Sequence, residues 1–171
     1  YRSIDLRKPE NHAIFEIQAA LIEGMQEYLN KDGFTQVFTP CLMGAASESG
    51  AEVFKVAYFN QQAFLRQDPQ LHRQLLIAAG FDRIFDLGPS WRAEPSYTTR
   101  HLTEFRGCAP ELAFIKDEAD VMRLEEDVVV AALKKARECK TELELLGQKI
   151  TMPETPFPEL RFPKIYDILD K

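Results

Sequence analysis

"FDRIFDLGPSWRAEPSYTTRHLTEFRGCAPELAFI", residues 81–115, decides how this chain folds. Its two ends read as strands near 83–92 and 104–115, with a polar loop over 95–103 between them. The join, "RAEPSYTTRHLTEF" (92–105), crowds two arginines, a histidine and two glutamates around a Pro-Ser turn and closes on Phe105. Two readings fit those residues. One is a salt-bridged surface hairpin; the other is a site for a phosphorylated aromatic ligand such as ATP. Residues at even separation on a strand point to the same face, so Arg92 and Glu94 can address one ligand.

Upstream, Ile14, Ile17, Leu21, Met25 and Tyr28 recur at three- and four-residue intervals, which predicts an amphipathic helix over 9–31. Pro9 suits its first turn and Asp32-Gly33 its left-handed stop. The run 34–38 alternates like a strand that Pro40 ends. Residues 43–52 are small and polar and read as a loop, and short strands follow near 53–58 and 63–66. Asp68-Pro69 opens a helix as N-cap and first residue, with Gly80 closing it. Asp117 caps a second long helix to about Cys139, with Val121, Leu124, Val128 and Ala132 on one stripe. Strands grouped between helices give an α+β class, an antiparallel sheet flanked by helices. Beyond Gly147 the prolines multiply, so residues 1–147 are expected to form the folded part. Residues 148–171 then make a Pro-rich linker and the start of a truncated element.

Bulk properties narrow the function. The 171 residues suit one domain with a substantial core. No apolar run approaches the ~20 residues that cross a bilayer. The net charge of −6 gives no general attraction to nucleic acid, so any RNA contact comes from a local basic patch, and DNA is not an expected partner. Three scattered cysteines and three scattered histidines suggest neither a disulfide framework nor a metal centre, and point to a reducing cytoplasm. The chain opens on Tyr1 rather than Met, which suggests an excised piece of something longer.

"GFTQVFTP" (33–40), "FDRIFDLGPSWRAE" (81–94) and "RHLTEF" (100–105) resemble motifs 1 and 2 of the class II aminoacyl-tRNA synthetases. The archaeal and eukaryotic type of aspartyl-tRNA synthetase is the nearest match. That resemblance implies a partial class II catalytic core and ATP-dependent adenylation of aspartate, followed by transfer to tRNA. Such chemistry needs positioning and charge neutralisation rather than a protein nucleophile. By resemblance Arg92 is catalytic, clamping the α-phosphate and the amino-acid carboxylate with its planar fork. Glu94 would read the adenine amino group, His101 with Arg100 the outer phosphates, and Phe105 would stack on the base. Ser96, Thr98 and Thr99 fall in the loop that touches the tRNA acceptor end. Glu48 in "SESG" (47–50), with Gln70 and Arg73 in "QDPQLHRQ" (67–74), would hold the amino acid. Pro40 matches the motif 1 proline of a twofold dimer interface.

The chain departs from the family pattern in four places on the amino-acid side. Ser49 replaces a glycine, Asp68 a serine, Arg73 a lysine, and Ala109 the aspartate that holds the substrate amino group. No glycine-rich segment ending in arginine follows Gly107, and the acidic pair for the expected Mg2+ lies outside this chain. Three functions fit: part of an aspartate–tRNA ligase, inactive alone; a non-catalytic truncated paralogue that binds nucleotide or tRNA or dimerises; or an asparaginyl-tRNA synthetase or asparagine synthetase A-like protein.

Overall fold

A computed structural model describes residues 1–46, 52–95 and 98–169. The chain divides into two compact units, one of Tyr1–Gln26 with Ala119–Lys171 and one of Glu27–Glu118.

The second unit carries the candidate site. Strands β1 (Thr35–Val37), β5 (Arg83–Trp91) and β6 (Glu104–Leu112) form one sheet in the order β1-β5-β6. The expected hairpin is there: β5 and β6 run antiparallel, with Gly88 opposite Gly107 and Ser90 opposite Phe105. β1 lies parallel to β5, Thr35 beside Ile84, so the sheet is mixed. A parallel neighbour needs a long crossover, and the segment between β1 and β5 supplies it. That crossover contains a second, antiparallel sheet, order β2-β4-β3, from β2 (Leu42–Met43), β3 (Lys55–Tyr58) and β4 (Gln61–Leu65). Met43, read from sequence as loop, therefore sits in a strand; two residues are too few to show a period. Helix α3 (Gln70–Ala78) follows.

Its N-cap position is Pro69, one residue later than expected. Asp68 still serves the helix end, because its Oδ1 accepts the Gln70 amide at 2.5 Å. Leu29, Phe34, Ile84 and Phe85 form this unit's apolar interior. Gly33 takes the left-handed φ of 81°, and the Phe34 amide returns to the Leu29 carbonyl at 2.9 Å.

The first unit is helical. It holds α1 (Arg2–Asp5), the start of α2 (Pro9–Lys31), α4 (Glu118–Ala136), α5 (Lys140–Leu145) and α6 (Tyr166–Leu169). Gly24 lets α2 meet α4 backbone to backbone: a Cβ there would lie 2.7 Å from the Ala131 carbonyl oxygen. Gly24 is buried at this approach; earlier on the same helix Ala13 is buried while Ile14 and Phe15 are exposed. The stripe on α4 is Leu124, Val128, Ala132 and Ala136; Val121, expected within it, faces solvent. No described helix is long and apolar enough to cross a membrane.

Candidate functional site

Arg92 leaves the end of β5 with its neighbours pinned on both sides. The Trp91 amide donates to the Arg66 carbonyl at 2.9 Å, the Arg92 amide to Thr103 at 3.1 Å and the Ala93 amide to Glu52 at 3.0 Å. Across the hairpin, the Trp91 indole N–H donates to Glu104 at 3.1 Å. β5 stops at Trp91, so Arg92 and Glu94 lie in irregular backbone. The even-spacing argument for a shared strand face does not apply there.

The guanidinium carbon of Arg92 sits 5.6 Å from the centre of the Phe105 ring. An arginine over an aromatic face at that range is held by the ring quadrupole. Both side chains are half-buried, as is Glu94. The Arg92 Nε is buried and finds no acceptor among the described residues. Such an unpaired donor costs free energy until something accepts from it.

The loop beyond is exposed and internally bonded. Thr98 Oγ1 lies 2.6 Å from His101 Nδ1 and accepts the Arg100 amide at 3.2 Å. Thr99, Arg100 and His101 all face solvent. Ser96 and Glu48 lie outside the described residues. Pro40 is exposed just beyond β1, beside an exposed Phe38.

Gln70 is exposed at the start of α3, whereas Arg73 is buried. Its Nη1 donates to the Pro110 carbonyl at 3.1 Å and lies 3.6 Å from the Glu111 carboxylate, while its Nη2 lies 3.6 Å from Asp68 Oδ1. Its Nε has no acceptor among the described residues. Ala109 pairs with Asp86 in the sheet register. Burial pushes the neighbouring Cys108 thiol up, although the charge of Arg73 opposes that.

Sequence reasoning missed a densely bonded buried group. Arg66 and Asp86 have side chains only 2% and 4% exposed, and two parallel bonds of 3.1 Å join them. The Arg66 Nε donates to the Pro89 carbonyl, and its Nη1 donates to the Thr39 hydroxyl, both at 2.6 Å. Thr39 in turn donates to Asp86 from its hydroxyl at 2.6 Å and its amide at 3.0 Å. Burial raises the Asp86 carboxyl, but the bonds from Arg66 and Thr39 outweigh it and hold the pKa below the usual carboxylate range. Gly88 makes room: a Cβ there would lie 2.6 Å from the Arg66 Nη2. The available signal was a lone aspartate inside the apolar run Ile84-Phe85-Asp86-Leu87.

Comparison with known proteins bears on this arrangement. A family model, tRNA synthetases class II (D, K and N), matches residues 1–170. The aspartate–tRNA(Asp) ligase of Thermoplasma acidophilum is 43% identical over 99% of this chain and 40% of its own length. The aspartate–tRNA(Asp/Asn) ligase of Methanopyrus kandleri is 41% identical over the same shares. Among solved structures, the asparaginyl-tRNA synthetase of Pyrococcus horikoshii with asparaginyl-adenylate superposes with a TM-score of 0.91 at 38% identity, covering 99% of this chain and 40% of that one. The chain thus spans about two-fifths of the length of the curated relatives it matches. By sequence and by fold alike, it belongs to the class II tRNA synthetases of the D, K and N family.

Proposed function

We propose that the chain is part of the catalytic domain of an aspartate–tRNA ligase and supplies the ATP-facing half of the adenylation site. The observation that carries this reading is Arg92 lying over Phe105 with a buried Nε that has no acceptor among the described residues. An adenine slotted against Phe105 would gain ~1–3 kcal/mol by stacking. A phosphoryl oxygen would give Arg92 the acceptor it lacks. Glu94 follows two residues on to read the base. His101 and Arg100, exposed on the loop that Thr98 ties together, would reach the outer phosphates. In the same reading Ser96, Thr98 and Thr99 meet the tRNA acceptor end, Pro40 lies in a homodimer interface, and the protein works in the cytoplasm. Among the described residues no group of three or more His, Cys, Asp or Glu is placed to hold a metal.

Adenosine 5′-O-(3-thiotriphosphate) is expected to bind weakly by calorimetry, and Arg92→Ala to remove that binding. Absence of binding by the unaltered chain at millimolar ligand would end the reading.

A non-catalytic paralogue is the second reading, favoured by Ala109 and by carboxylates of the chain itself beside Arg73. The asparagine alternative draws on the Pyrococcus structure, but the curated relatives above carry aspartate names, and Pro69 in "DPQLHRQ" fits the aspartyl wording.

A further inference from the structure

We propose that Asp68 is a built-in occupant of a small anion site, and that a carboxylate ligand competes with it for Arg73 and the amide of Gln70. One oxygen, Oδ1, serves both groups: it accepts the Gln70 N–H at 2.5 Å and lies 3.6 Å from the Arg73 Nη2. The amide belongs to the first turn of α3, where the helix leaves donors unpaired and favours negative charge. The guanidinium is the independent sign of a ligand. Its side chain is only 10% exposed, yet both of its ion pairs are loose, and its Nε has no acceptor among the described residues. Of the five N–H donors an arginine carries, the Pro110 carbonyl takes one at a good hydrogen-bond distance.

The two acids are not equivalent. Asp68 is also bound to the helix end and is the more exposed, at 32% against 26% for Glu111. An incoming carboxylate therefore reaches Arg73 by swinging Asp68 aside, and inherits both donors when it does. Because Asp68 is tethered, it competes at an effective concentration on the millimolar scale or above. Free carboxylates then bind weakly to the unaltered chain and more tightly once the tethered one is gone. The choice of aspartate as the natural ligand rests on the function proposed above; the anion site itself does not.

Succinate is a suitable probe because it offers carboxylates without an ammonium, for which Ala109 provides no partner. Titrated calorimetrically, Asp68→Ala is expected to bind succinate about tenfold more tightly than the unaltered chain. Asp68→Asn, which keeps an acceptor for the Gln70 amide but drops the charge, should fall between them and guards against loss of the helix start. Adding Arg73→Ala to either variant should abolish the gain. Equal, weaker or undetectable succinate binding by both Asp68 variants overturns the proposal. The nucleotide-analogue titration and its Arg92→Ala control report separately, so failure of one reading is distinguishable from failure of the other.

Discussion

Arg66 and Arg73 stand seven residues apart, both buried in the same unit, and their surroundings could hardly differ more. Arg66 has a bidentate carboxylate, a hydroxyl and a carbonyl, with distances between 2.6 and 3.1 Å. Arg73 has one carbonyl bond, two carboxylates at 3.6 Å and an Nε with no acceptor among the described residues. A buried charge must recover its lost hydration from neighbours. Arg66 does so wholly within the protein, which marks it as structure. Arg73 does so in part, and like Arg92 it has no acceptor for its Nε among the described residues, which suits the ligand-binding roles proposed for both.

The sharpest way to break that contrast is truncation. Arg66→Ala leaves Asp86 buried without its partner and is expected to cost about 3–5 kcal/mol in urea unfolding. A loss below ~1 kcal/mol would put Arg66 in the same class as Arg73. Next in size is Gly88→Ala. Its methyl would crowd the Arg66 guanidinium and should cost about 1–3 kcal/mol as overpacking; an unchanged midpoint would mean the network has slack.

Acid should give the mildest effect. The folded Asp86 carboxyl titrates below its unfolded value of about 3.9, so the unfolded chain binds more protons in the window between the two. Asp86 therefore adds stability that is fully present above about pH 4 and is lost as pH falls through the folded value. Unfolding free energy followed from pH 7 downward should fall less steeply in that window for Asp86→Asn than for the unaltered chain. Identical slopes would remove Asp86 from the account.

Much of the fold was legible because local chemistry dictates it. The long helix announces itself through Pro9, its apolar spacing and Gly33; the β5–β6 hairpin does so through its bounding turns. The offset of the buried face on α2 was hidden, since hydrophobic period alone favours bulky Ile14 over Ala13, whereas Ala13 is the buried one. β2 and α5 are too short to show a period at all. In the candidate site, Arg92 and Phe105 could be paired by motif, and the structure brings them together. Asp68 could be read as a helix cap, but its second role beside Arg73 depends on where α3 lies against β6. The Arg66–Asp86 pair was invisible because its members come from β5 and from the segments just past β4 and β1, a juxtaposition no linear spacing encodes.

The Thr39–Arg66–Asp86 latch joins a residue of the mixed sheet to one just past the central strand of the smaller antiparallel sheet. Peeling either sheet away strands a guanidinium or a carboxylate in a place water does not reach. The two sheets therefore share a single opening event rather than fraying one at a time. The backbone leading into Arg92 is tied to that latch through the Trp91 amide, which donates to the Arg66 carbonyl.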